Sequence, residues 1–229
     1  MRLKEKKKDI MVFKKKEADS NILQTIKEEV FNSISHGLGI ILGISSFILL
    51  LFNIKISFPH IFSYVFYCSS LLILYTISTL YHAIPHKKAK QVLRKLDHIS
   101  IFLLILGSYI PITLISLNGL FGWILFSLMM CLSVFGIIFK IIFGTRFGLV
   151  STILYLLTGW SGVLAFKPLF FVLPIKGFAW LVIGGLFYSL GVIFYSIDRK
   201  FYFFHTIWHI FVLMGSFSHF ILFFGYVFI

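Results

Sequence analysis

The chain has 229 residues, a mean hydropathy of +0.98, 59% hydrophobic side chains and only 13% charged ones. A soluble domain carries about 25%, and six of the eight carboxylates here lie before residue 30, so an ordinary water-soluble globule is excluded. The net charge of +13 would suit nucleic acid in a soluble protein. Here the basic residues stand between apolar runs, where they set topology and meet anionic lipid headgroups, so the expected partners are membrane lipids and not nucleic acid.

Residues 1–33 read as a basic cytoplasmic tail in front of a membrane domain at 34–229. Within the tail, Ile22, Leu23, Ile26 and Val30 have helical spacing, with Asp19 or Ser20 as the N-cap. This stretch is either a short interfacial helix or an extension of the first span. Seven segments are then apolar over the roughly 17–25 residues that cross a bilayer, at 34–52, 61–84, 98–117, 120–139, 148–166, 178–197 and 204–228. The first is too long for a cleaved signal core and reads as a retained helix. An Asn118-Gly119 turn joins the third and fourth. Backbone groups in lipid must be satisfied within the segment, so the fold class is an all-α membrane protein, a seven-transmembrane helix bundle. Cys68 and Cys131 fall inside apolar runs, which leaves no disulfide framework and no Cys-based metal site.

Lys and Arg number eighteen on the side of the N-terminal tail and the even-numbered connections, against three on the other. Positive loops stay inside, so the N-terminus is expected in the cytoplasm and the C-terminus outside. The chain is thus expected to be a multi-pass protein of a cell membrane, a bacterial plasma membrane.

That topology sorts the polar residues. Ser78 and His82 fall near the cytoplasmic end of the second span, Asp97 and His98 start the third, His205 and His209 open the seventh, and His36 opens the first. Ionisable groups in spans are functional candidates by default. His205 and His209 are four apart, on one helical face about 6 Å apart along the axis, a spacing from which a helix gives two ligands to one metal. Two interfacial histidines could equally be hydrated, but His82 supplies a third imidazole at matching depth. Three imidazoles with an open fourth position is the coordination of catalytic zinc, although imidazole also suits copper, nickel and iron. Asp97 is placed to handle the proton of an activated water, to orient a ligand imidazole or to pair with Arg94 or Lys95. Ser78 is one turn from His82 and either helps position the reacting oxygen or bonds back to its own helix. Asp198, followed by Arg199, reads as part of a solvated loop. His219 lies roughly 15 Å deeper than His209 and reads as a buried, hydrogen-bonded histidine at a helix contact. His36 and His98 are candidates for supporting the site from behind the ligands.

At these residues the sequence resembles the haemolysin III branch of the progestin and adipoQ receptor superfamily. The resemblance rests on Glu28-Glu29-Val30-Phe31-Asn32-Ser33-Ile34-Ser35-His36-Gly37, Ser78-Thr79-Leu80-Tyr81-His82, Leu96-Asp97-His98, Gly107-Ser108-Tyr109-Ile110-Pro111, His205-Thr206-Ile207-Trp208-His209 and Ser218-His219-Phe220. It implies seven helices with a cytoplasmic N-terminus and an intramembrane zinc held by His82, His205 and His209, with Ser78 and Asp97 beside it. Its relatives suggest hydrolysis of a lipid amide. The expected function is therefore zinc-dependent hydrolysis of an amide or ester bond in a membrane lipid. The alternatives are a non-enzymatic sensor or receptor with a structural zinc, and a pore-forming haemolysin or channel.

Overall fold

The structure is a computed structural model that describes residues 24–53 and 57–228. The basic tail before Gln24, its Asp19 or Ser20 cap, and Lys55 lie outside the described residues. Among those residues, seven helical segments are long and apolar enough to cross a membrane. The helices are α1 (Ile26–Asn53), α2 (Phe58–Ala83), α3 (Lys87–Pro111), α4 (Gly119–Phe143), α5 (Gly148–Trp160), α6 (Phe166–Val172), α7 (Ile175–Ser196) and α8 (Phe204–Leu222). The chain is a multi-pass membrane protein, with α5 and α6 together making one span.

Helix ends depart from the hydropathy boundaries for local reasons. α1 starts at Ile26, so Ile26 and Val30 belong to the first turns of the span itself. Thr25 caps it: the Glu28 N–H donates to Thr25 Oγ1 at 3.3 Å and the Thr25 N–H to Glu28 Oε2 at 2.9 Å, a reciprocal capping box. α3 starts at Lys87, eleven residues ahead of the apolar segment expected from 98. Lysine, arginine, glutamine and leucine are good helix formers, so charge ends the apolar run without ending the helix. Asn118 and Gly119 make the expected turn, both with positive φ, 47° and 60°, a backbone that asparagine and glycine tolerate best.

Among the described residues, three spans leave regular α-helix, the seventh in a π-turn over Phe223–Val227, and the breaks in the third and fifth each have their own hydrogen-bond repair. Pro111 lacks an N–H, and the helix beyond it widens into a π-turn over Ile112–Leu117, where Thr113 Oγ1 donates to the Tyr109 carbonyl at 2.9 Å. In the fifth span, a 3₁₀ turn at Ser161–Ala165 separates α5 from α6. The Tyr109 hydroxyl accepts from the Gly162 N–H at 2.7 Å and donates to the Gly159 carbonyl. Irregular backbone survives at this depth only when such partners satisfy it.

α1 packs on α2 and on α8, α2 on α3, α3 on α4, and α7 on α8. The last helix therefore returns to the first. The span formed by α3 and its π-turn is the most enclosed and α7 the least. Ser216 on α8 ties three helices together: Tyr75 of α2 donates to its hydroxyl at 2.7 Å, and Tyr188 of α7 lies 2.9 Å from it. This closure brings the starts of α1, α3 and α8 and the end of α2 to one end of the bundle.

Candidate metal centre

His82 is buried in the last turn of α2, and His205 and His209 occupy the first two turns of α8. Their rings lie 4.8–5.3 Å apart, centroid to centroid, and one nitrogen from each falls within 4.8 Å of the other two. The expected trio is thus brought together, in an arrangement that could hold a metal ion.

The partner of each Nδ1 shows which nitrogen is free. His82 Nδ1 donates to Glu29 Oε2 at 2.7 Å, and the other oxygen of that carboxylate receives Lys90 Nζ at 2.9 Å. His205 Nδ1 donates to Asp198 Oδ2 at 2.8 Å. His209 Nδ1 donates to the Asn32 carbonyl at 3.2 Å and lies 3.1 Å from the Ser35 hydroxyl. A carboxylate or carbonyl can only accept, so each Nδ1 carries the proton and each Nε2 presents a lone pair. His82 Nε2 is buried without a hydrogen-bond partner among the described residues. Anchoring the far nitrogen on a carboxylate or carbonyl is the usual support for a metal-ligating imidazole. The donor set therefore fits a nitrogen-loving dication, with the Glu29 and Asp198 carboxylates supplying negative charge behind two of the rings.

The backbone that delivers His205 is itself held from α1. Phe203 has φ 62°, a left-handed conformation uncommon for a bulky residue. Its N–H donates to Glu28 Oε1 at 2.9 Å and its ring meets Phe31 edge-on. Glu28 thus closes the cap of α1 with one oxygen and fixes the approach to α8 with the other. Asn32 repeats the pattern one turn on, its side-chain oxygen accepting from Thr206.

Asp97 and Ser78 face each other across the contact between α2 and α3, with His205 and Arg94 in electrostatic range of the carboxylate. The Ser78 hydroxyl is buried and makes no hydrogen bond back to its own helix; its polar neighbour is the Asp97 carboxylate. Asp198 lies in the turn between α7 and α8 as expected, but it is half-buried and paired with His205 instead of being left to solvent. His98 accepts from Lys140 Nζ at 3.0 Å. His219 is buried with Nε2 3.4 Å from the Leu181 carbonyl, at the helix contact expected for it.

Glu29, Asn32 and Ser35 are the contributors that reasoning from single residues passed over. Their signal is positional. Glu29, Asn32, Ser35 and His36 recur at helical spacing along one face of the first turns of α1.

A family model described as haemolysin-III related matches residues 24–220. The chain is 45% identical over 194 residues to the Hemolysin-3 homolog of Bacillus subtilis (strain 168), covering 84% of this chain and 91% of that one. It is 41% identical over 199 residues to Hemolysin-3 of Bacillus cereus, covering 86% and 90% respectively.

Proposed function

The chain belongs to the haemolysin-III-related family, and on that premise we propose that it is a zinc-dependent hydrolase of an amide or ester bond in a membrane lipid. The observation that carries this reading is the trio of imidazoles whose Nδ1 atoms are all anchored, leaving three Nε2 donors. Three nitrogen ligands suit zinc and leave a position for a reactant, whereas a structural site is usually closed by a fourth protein ligand. Zinc at that centre supplies Lewis acidity, polarising a carbonyl and making water available for attack at neutral pH.

The chain's own residues do the rest. His82, His205 and His209 hold the ion. Asp97 accepts the proton of the attacking water and passes it to the leaving amine or alcohol as the bond to the carbonyl carbon breaks. Ser78, whose hydroxyl faces that carboxylate, steadies the reacting oxygen. A cavity of about 250 Å³ runs inside the bundle, lined by Leu74, Tyr155, Leu181, Tyr188 and Val212 among others. Leu74 is one turn from Ser78 and Val212 is three residues beyond His209, so the cavity comes within about one helical turn of the centre and offers room for an acyl chain. By the charge asymmetry of the connections, the centre lies near the cytoplasmic face.

Asp97→Ala is expected to keep one zinc per chain while lipid-product formation, read by mass spectrometry on purified protein in lipid, falls by about 100-fold or more. Equal loss of metal and product would remove Asp97 from the chemistry.

A structural role for the ion is the second reading, favoured by the ligands' origin on two helices, α2 and α8, with supports from α1. It requires that no lipid product form in the presence of bound zinc.

A further inference from the structure

A fourth imidazole stands in the site and takes no part in the mechanism above. His36 on α1 is 4% exposed, and neither of its ring nitrogens has a hydrogen-bond partner among the described residues. Its ring is stacked on His209, centroids 3.5 Å apart and planes 11° from parallel, and Tyr75 meets it edge-on at 5.1 Å. It lies outside the trio whose ligand atoms converge, so it is not a fourth protein ligand.

Packing alone does not account for a histidine here. A ring contact contributes about 0.5–1.5 kcal/mol, and phenylalanine would make it equally well. An unmatched buried polar atom costs about 1–3 kcal/mol, and this ring carries two. The neighbouring stretch of α2 repeats the pattern. Thr79 Oγ1 is also buried without a partner among the described residues, one turn beyond the Tyr75 that His36 touches. Unmatched donors and acceptors on two facing helices, beside the metal-facing nitrogens, describe a surface shaped for a polar group from outside the chain.

We propose that His36 is a substrate-binding residue that hydrogen-bonds the polar group of a lipid at the metal centre, a neutral amide or hydroxyl carried on an acyl chain. A neutral imidazole offers one donor and one acceptor. An amide or hydroxyl offers the complementary pair, whereas a phosphate or carboxylate offers acceptors only. This assignment rests on the lipid-substrate reading above but not on turnover.

The test uses the zinc-loaded full chain in detergent and two photoreactive probes. One is an N-acyl amide with a diazirine in its chain; the other is the same chain as a plain hydrocarbon. Wild type is expected to label with the amide more strongly than with the hydrocarbon. His36→Phe, which keeps the stacked ring, is expected to retain one zinc per chain, to label about tenfold less with the amide and to label unchanged with the hydrocarbon. His36→Asn, which restores a donor and an acceptor without the ring, recovers part of the amide labelling. Equal amide labelling of wild type and His36→Phe would overturn the proposal. So would a wild type that does not distinguish the probes, or a His36→Phe that loses zinc together with the label, because the ring would then only brace His209. A labelled wild type that forms no product would defeat the hydrolase reading and leave the His36 assignment standing.

Discussion

Each metal-facing imidazole depends on what holds its other nitrogen. Glu29 anchors His82 and Asp198 anchors His205, so Glu29→Ala and Asp198→Ala are expected to weaken zinc affinity by about 10–100-fold each. Competition against a chromophoric chelator measures this, and unchanged affinity in both would detach the carboxylates from the metal centre. Removing a ligand itself, as in His82→Ala, should leave no stoichiometric zinc in elemental analysis. The three histidines were legible in the sequence because a charge-based topology placed them at one end and helical spacing put two on one face. Their supports were not. Glu29 sits beside Glu28 in what looks like an ordinary acidic first turn, and Asp198 next to Arg199 looks like solvated loop chemistry. Only the folded chain shows that Glu29 reaches across from α1 to α2 and that Asp198, in the turn between α7 and α8, meets the second residue of α8.

Spans were easier to read than helices. Hydropathy located all seven crossings, but it could not see that α3 continues for three turns of charged residues, nor that the fifth span breaks into α5 and α6. Those features depend on propensity and on a hydroxyl from a different span, Tyr109, which no local pattern announces. Close helix approach is equally nonlocal. At Gly122, near the start of α4, a Cβ would stand 2.2 Å from the Thr113 backbone carbonyl oxygen, whereas at Gly159 nothing lies within 4 Å. Small residues at such crossings let backbones meet. Gly122→Ala is therefore expected to destabilise the bundle by about 1–3 kcal/mol, and Gly159→Ala to be neutral. Thermal unfolding in one detergent compares them; an equal midpoint for both would mean that the α3–α4 turn can yield.

For the molecule as a whole, an ion held by His82, His205 and His209 would tie α2 to α8, the last helix. Chelation should lower the unfolding midpoint of wild type and leave His82→Ala unmoved, since a ligand stabilises only the state that binds it. Orientation is tested separately: alkaline phosphatase fused to the C-terminus should be active if that end lies outside, and inactive if the charge asymmetry has been misread. The closure of the last helix upon the first also has a consequence for biosynthesis. His82 emerges from the ribosome early, with Glu29 already made, but His205, Asp198 and His209 arrive only with the final span. A nascent chain stalled before that point displays a single member of the trio. Assembly of the trio thus waits for α8, and a product truncated before Phe204 would lack two of its three histidines.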